Sequence, residues 1–151
     1  MNDRVVEYRN AMDMVTTNQE LIPVDAAHNL LKTTHWAAGL SRETLARAML
    51  NSLCFGVLRE CDLIGFARVI TDRATYAYLT DVVIAAEHRG QGVGRWLVEC
   101  ILDHPDLQNL RRVTLLTRDG AELYANLGFT AGSGDLIYME RRGASGRNEA
   151  G

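Results

Sequence analysis

A fold mixing α and β elements is what this sequence predicts, and three observations point to it. Runs of apolar and β-branched residues over 53–59, 63–71 and 75–85 read as strands. Residues 24–32 instead carry Ala27, Leu30 and Leu31 at helical spacing. The third observation is a junction. The apolar run over 79–85 leads through Arg89-Gly90-Gln91-Gly92-Val93-Gly94 straight into Trp96-Leu97-Val98-Glu99-Cys100-Ile101-Leu102, which reads as strand, glycine turn and helix. Pattern alone narrows the class to α/β or α+β.

In chain order, residues 12–17 predict a short first strand. Pro23 opens the helix over 24–32. Ser41 stands as an N-cap ahead of a helix in which Leu45, Ala48, Met49 and Ser52 share a face. His35, Trp36 and Gly39 fall on the connection between these two helices. Glu60-Cys61-Asp62 separates the next two strands as a hairpin, and Asp72-Arg73-Ala74 is the turn into the strand over 75–85. The helix after the glycines ends near Asp103, because Pro105 restricts His104 and cannot continue it. Residues 112–117 read as a buried strand, 121–127 as a short helix closed by Gly128 in a left-handed cap, and 136–140 as a last strand. Residues 143–151 are expected to be a disordered tail, which leaves 1–142 as a single domain.

With 151 residues, 47% of them hydrophobic, the chain can bury one sizeable core and has no length for a second domain. A formal net charge of −3 argues against a nucleic-acid or anionic-membrane binder, and pairs such as Arg111-Arg112 are too short to reverse that. Cys54, Cys61 and Cys100 are odd in number, lack metal-ligand spacing and lie in apolar patterns, so they read as reduced core thiols. His28, His35, His88 and His104 also lack such spacing, and no metal is expected. Residues 1–9 are rich in charge, and no apolar run approaches the ~18 residues of a membrane span, so the cytoplasm is the expected location.

A helix N-terminus leaves backbone N–H groups unpaired and carries a partial positive charge, so a glycine turn leading into one makes an anion cradle. The expected guest is a phosphate or pyrophosphate. A Walker-type loop would end in Gly-Lys-Ser/Thr, whereas Gly94 is followed by Arg95-Trp96. A dinucleotide fingerprint starting at Gly90 or Gly92 would need a third glycine where Arg95 or Leu97 stands.

What remains resembles the Arg/Gln-x-x-Gly-x-Gly/Ala signature of the GNAT superfamily of N-acetyltransferases, matched by Arg89, Gly92 and Gly94. Leu123-Tyr124-Ala125-Asn126-Leu127-Gly128-Phe129 is similar to the Leu-Tyr-x-x-x-Gly-Phe element that follows the fifth strand in that superfamily. The resemblance implies an α+β fold: a mostly antiparallel sheet of six to seven strands, splayed in the middle and flanked by about four helices.

The resemblance also implies an acyltransferase that uses acetyl-CoA. Its pyrophosphate would lie on backbone N–H groups from Arg89, Gly90, Gln91, Gly92, Val93, Gly94 and Arg95, and its pantetheine arm would add like a strand to Val82, Val83 and Ile84. Arg89 has a largely positional role by the same resemblance. Thr117 stands where the family often has an Asn contacting pantetheine, and Ala86 where it often has Pro. The reaction is attack of a neutral amine on a thioester, which needs a donor for the developing oxyanion, assigned to the Val82 N–H. The departing thiolate needs a proton, assigned to Tyr124, since a tyrosine of pKa about 10 is protonated at neutral pH.

Deprotonating the amine is less determined. Asp81 is the nearest acidic candidate, in a Leu79-Thr80-Asp81-Val82-Val83-Ile84 run that resembles the family's Glu-Asp-x-x-Val strand with Thr80 in place of Glu. Strand alternation puts Thr80 and Asp81 on opposite faces, so base, substrate contact and structural network all stay open for Asp81, with Glu87 or a water chain beside it. Trp36 is the expected wall of the acceptor pocket, offering apolar area with one donor, and His35, Arg68, Tyr76 and Tyr78 are further candidates. The acceptor is expected to be a small-molecule or peptide amine, and a homodimer fits what is common in the superfamily. The alternative is a non-catalytic acyl-CoA-binding sensor, for which Thr80 and Thr117 speak.

Overall fold

Among the described residues, 4–132 and 134–144 of a computed structural model, six strands form one sheet in chain order. They are β1 (Glu7–Arg9), β2 (Asp13–Thr16), β3 (Leu53–Arg59), β4 (Asp62–Thr71), β5 (Tyr76–Ile84) and β6 (Arg112–Leu115). Neighbours from β1 to β5 are antiparallel, and β6 joins β5 in parallel. A parallel neighbour needs a crossover, which α3 (Val93–Asp103) supplies. α1 (Val24–Leu31) and α2 (Arg42–Leu50) lie between β2 and β3, and α4 (Ala121–Ala125) follows β6. This mixed sheet with four helices is the predicted architecture. The chain forms two compact units, Met1–Leu116 with the whole sheet and α1 to α3, and Thr117–Gly151 with α4.

The core of the first unit follows from strand alternation. Cys54 in β3 lies in a buried cluster with Ala27 and Leu31 of α1, Leu45 and Met49 of α2, Phe66 and Val83. Its neighbour Phe55 points to the other face, where its ring meets His104 just past α3 edge to face at 5.6 Å. The helices therefore cover both faces of the sheet. The N-cap of α2 is as expected: the Thr44 N–H donates to Ser41 Oγ at 3.1 Å.

One register feature positions the site. β6 accompanies β5 only from Tyr76, opposite Arg112, to Leu79, opposite Leu115. β4 stays with β5 as far as Ile84, opposite Gly65. Among the described residues, 80–84 are thus paired with a strand on one side only, which is the splay.

Several expectations need correction. β1 lies in the charged stretch over 1–9, where no strand was predicted, because pairing with β2 supplies the order that its own three residues cannot. Residues 136–140 are not a strand: alternation alone does not supply a ladder partner, and Ile137 and Met139 are each 85% exposed. β6 is an edge strand and only partly buried. Cys61 is exposed in the β3–β4 turn, whereas Cys54 and Cys100 are core thiols, pushed up to about 12 and about 11 by burial. The expected disordered tail lies, from residue 145 on, outside the described residues. No described helix is long and apolar enough to cross a membrane.

Candidate active site

The glycine turn has the backbone its sequence requires. Gly90 and Gly92 take φ of 75° and 81°, a left-handed conformation that side-chain-bearing residues seldom adopt. Gly92 is the N-cap of α3, and its carbonyl accepts from the Trp96 N–H at 3.1 Å. Apart from the adjoining residues of the turn itself, no heavy atom of the described residues lies within 4 Å of where a Cβ would stand on either glycine, so the approach to this turn is open. The first turn of α3 contains no acidic residue that would oppose an anion. Arg95 pairs with Glu99 at 2.9 Å on the exposed face, an interaction of about 0–1 kcal/mol that does not tie it down.

Arg89 is used structurally. Its Nε–H donates to the Ile84 carbonyl at 2.9 Å, fastening the turn to the end of β5. One residue earlier, His88 Nδ1 lies 3.1 Å from Arg59 Nη1. Arginine can only donate, so Nδ1 is the acceptor in this bond. Arg59 is fixed in turn by both oxygens of buried Asp13, at 2.7 and 3.0 Å. The segment before the turn is thereby anchored to β2 and β3.

Between the end of β5 and the α1–α2 connection lies a cavity of about 210 Å3, lined by Thr33, Thr34, His35, Trp36, Val82, Ile84 and Arg89 among others. The expected cofactor strand over 82–84, Arg89 and the expected pocket residue Trp36 therefore meet at one cavity. Trp36 is 42% exposed, and His35 packs against it edge to face at 5.2 Å. Thr33 and Thr34 are lining residues the sequence reading missed; Lys32-Thr33-Thr34 directly after a helix was their only signal.

Asp81 sits one residue before this lining strand, but its carboxylate turns inward. Its side chain is 7% exposed and accepts from Arg68 Nε at 2.8 Å. It occupies a bulge: Thr80 faces Arg68 and Val83 faces Phe66, so Asp81 and Val82 lie opposite the single residue Ala67. Asp81 itself has φ of 57°. The regular strand assumed from alternation is interrupted at this residue. Tyr78, also on β5, is half-buried, and Tyr76 is exposed and bonds the Thr114 hydroxyl.

In the second unit, Tyr124 on α4 is half-buried, with its ring 5.7 Å from that of Phe129, edge to face. Burial pushes its hydroxyl above the ordinary tyrosine value. Thr117 Oγ accepts from the Gly120 N–H at 2.9 Å. A Cβ on Gly120 would stand 2.9 Å from that oxygen and 3.1 Å from Tyr124 Cε2, so Gly120 is what lets Thr117 and Tyr124 share this corner.

The family model of the acetyltransferase (GNAT) domain matches residues 51–131, a span that holds both the glycine turn and the Tyr124 element. A Gibberella zeae protein named as an acetyltransferase is 37% identical over 139 residues, covering 76% of this chain and 77% of that one. The chain belongs to the GNAT acetyltransferase family. A solved structure from Xanthomonas campestris pv. campestris, assigned to the GNAT family, is 40% identical and superposes on this acetyltransferase with a TM-score of 0.83, covering 89% of this chain and 95% of that one. Streptothricin acetyltransferase of Escherichia coli is 28% identical over 96 residues, covering 61% of this GNAT chain and 55% of that one.

Proposed function

We propose that this GNAT acetyltransferase moves an acetyl group from acetyl-CoA to a primary amine of a small molecule or peptide by direct attack on the thioester. The observation that carries the reading is the cavity shared by the end of β5, Arg89 at the start of the glycine turn, and Trp36. Bound acetyl-CoA supplies the activated acyl group, and the chain does the rest.

Two left-handed glycines with open approach and the N-terminus of an 11-residue helix fit a pyrophosphate, with backbone N–H groups over 89–95 as donors. Val82, Val83 and Ile84 offer backbone groups to a pantetheine arm on the side that β6 leaves at Leu79. The Val82 N–H is the donor assigned to the oxyanion. Tyr124, held protonated by burial, gives its proton to the departing thiolate, and the Thr117 hydroxyl contributes to pantetheine binding. Trp36 and His35 wall the acceptor side of the cavity. The span of the family model across both units supports the reading of residues 1–142 as one acyltransferase domain.

Release of free thiol from acetyl-CoA in the presence of amines tests the proposal. A second reading, a non-catalytic acyl-CoA sensor, is favoured by one observation: Asp81, the carboxylate of the lining strand, is committed to Arg68. Tight CoA binding with no turnover across a broad amine panel would support that reading instead.

A further inference from the structure

Resting on the acetyltransferase reading, we infer that Arg68 and Asp81 are positioning residues: their ion pair holds the β5 bulge in the backbone geometry that presents residues 82–84 to the cavity. The Asp81 carboxylate then serves the strand and does not touch the acceptor.

The bulge decides which side chains of β5 face where. Val82, Val83 and Ile84 all line the cavity; Val82 and Ile84 are partly exposed, while Val83 is 4% exposed and also belongs to the core cluster with residues of α1 and α2. Removing the extra residue from the pairing would slip the following positions by one and turn Val83 away from the core cluster it shares with Phe66. A strand keeps such an irregularity only when something other than the ladder stabilises it.

At Asp81 the backbone adopts a left-handed φ of 57°, a conformation open to Asp and Asn and unfavourable to other residues that carry a Cβ. What holds it is on the neighbouring strand. Arg68, paired with Thr80 next to the bulge, donates Nε–H to Asp81 Oδ2 at 2.8 Å and Nη1–H to Ser52 Oγ at 3.1 Å. Ser52 Oγ donates onward to the Ala48 carbonyl at 2.7 Å. The guanidinium is thus gripped at two points, and the bulge is tied to the end of α2. The two charged side chains are only 15% and 7% exposed, so the pair stays closed to solvent and the carboxylate is not presented to a bound amine.

The test uses the full chain without ligand. Amide hydrogen exchange is read by NMR at residues 81–84 in the wild type, Asp81→Asn, Arg68→Lys and the double variant Arg68→Met with Asp81→Ala. Asn tolerates the left-handed φ and keeps an acceptor for Arg68, so exchange is expected within about threefold of wild type. The double variant removes both charges together and puts Ala in the left-handed position, so exchange at 81–84 is expected to rise about tenfold or more while β2 and β3 stay protected. Arg68→Lys keeps the charge and loses the fork, with a rise of about threefold to tenfold expected. Turnover is measured alongside: Asp81→Asn is expected to keep kcat within about fivefold with the acidic limb of its pH profile unmoved.

Wild-type exchange in the double variant, or in Arg68→Lys should the double variant fail to fold, overturns the inference. Loss of turnover in Asp81→Asn with unchanged exchange also overturns it, since the carboxylate would then act directly. Because the exchange is read without acetyl-CoA, it decides the role of the pair even if the wild type acetylates nothing, and the two failures stay separate.

Discussion

The Nε–H of Arg89 donates to the carbonyl oxygen of Ile84 at 2.9 Å, so the side chain that begins the glycine signature is fastened to the strand that precedes it. Under the proposed function, its contribution to CoA binding is expected to be one of shape more than charge. A hydrogen bond of about 1 kcal/mol corresponds to about fivefold in Kd for CoA, and Arg89→Ala and Arg89→Lys should lose it alike. Calorimetry decides: a wild-type Kd in Arg89→Lys would mean that the charge, not the bond, is what the turn uses.

Gly92 and Gly94 of the turn should respond differently to alanine. Gly92 has φ of 81° with open space around a Cβ, so Gly92→Ala pays only in backbone strain, about 1–2 kcal/mol, and lowers the thermal midpoint of the free protein. Gly94 is helical, and its Cβ would meet Ile84 Cγ1 at an ordinary 3.5 Å. Gly94→Ala should be neutral or stabilising by up to about 1 kcal/mol. Equal midpoint losses in the two variants would contradict this account of the turn.

Tyr124→Phe should lower kcat by about 10²-fold or more while leaving the Kd for CoA within about twofold, since it removes a proton donor and little surface. Burial raises the Tyr124 pKa above its ordinary 10.0, so the neutral, donating form persists up to and beyond that pH. The wild-type kcat should show no basic limb below about pH 10 from this group. A limb near pH 8 that disappears in Tyr124→Phe would contradict the assignment.

Trp36→Ala tests the acceptor wall. With Trp36 42% exposed at the cavity, the truncation should leave folding intact and raise KM for the amine about fivefold or more, with CoA affinity little changed. Equal losses in both would place Trp36 on the donor side.

The turn before β5 carries a pH signature. Asp72 accepts from the Thr75 hydroxyl and from the N–H groups of Thr75, Ala74 and Tyr76, which lower its pKa from the ordinary 3.8. Its stabilisation is present above 3.8 and is lost as pH falls through the lower folded value. Asp72→Ala should therefore be less stable than wild type at pH 7 in urea, and the gap should narrow in that acid range. A gap that widens with acid would reverse the sign.

The parts of this molecule legible in the sequence were those with local causes. β3 was read with its observed bounds because an apolar run is closed by Glu60, whose φ of 57° makes the turn. α2 was read from Ser41, whose hydroxyl caps it. The cavity residues Trp36, Val82, Ile84 and Arg89 came from motif and position, and the fold brings them to one place. The Arg68–Asp81 pair was not legible as a pair: its members are 13 residues apart on neighbouring strands, and the bulge that joins them has no period. A charged residue inside the apolar run Phe66-Ala67-Arg68-Val69 was the signal that could have been followed. β1 was missed because its order comes from β2, and residues 136–140 show the converse, a strand-like pattern without a ladder.

Free-thiol release from acetyl-CoA over a panel of amines, with wild type and Tyr124→Phe in parallel, tests most directly that this chain acetylates an amine. Turnover with one amine class that is lost in Tyr124→Phe at unchanged CoA affinity is the predicted result; CoA bound tightly by the wild type with no thiol released for any amine would contradict it.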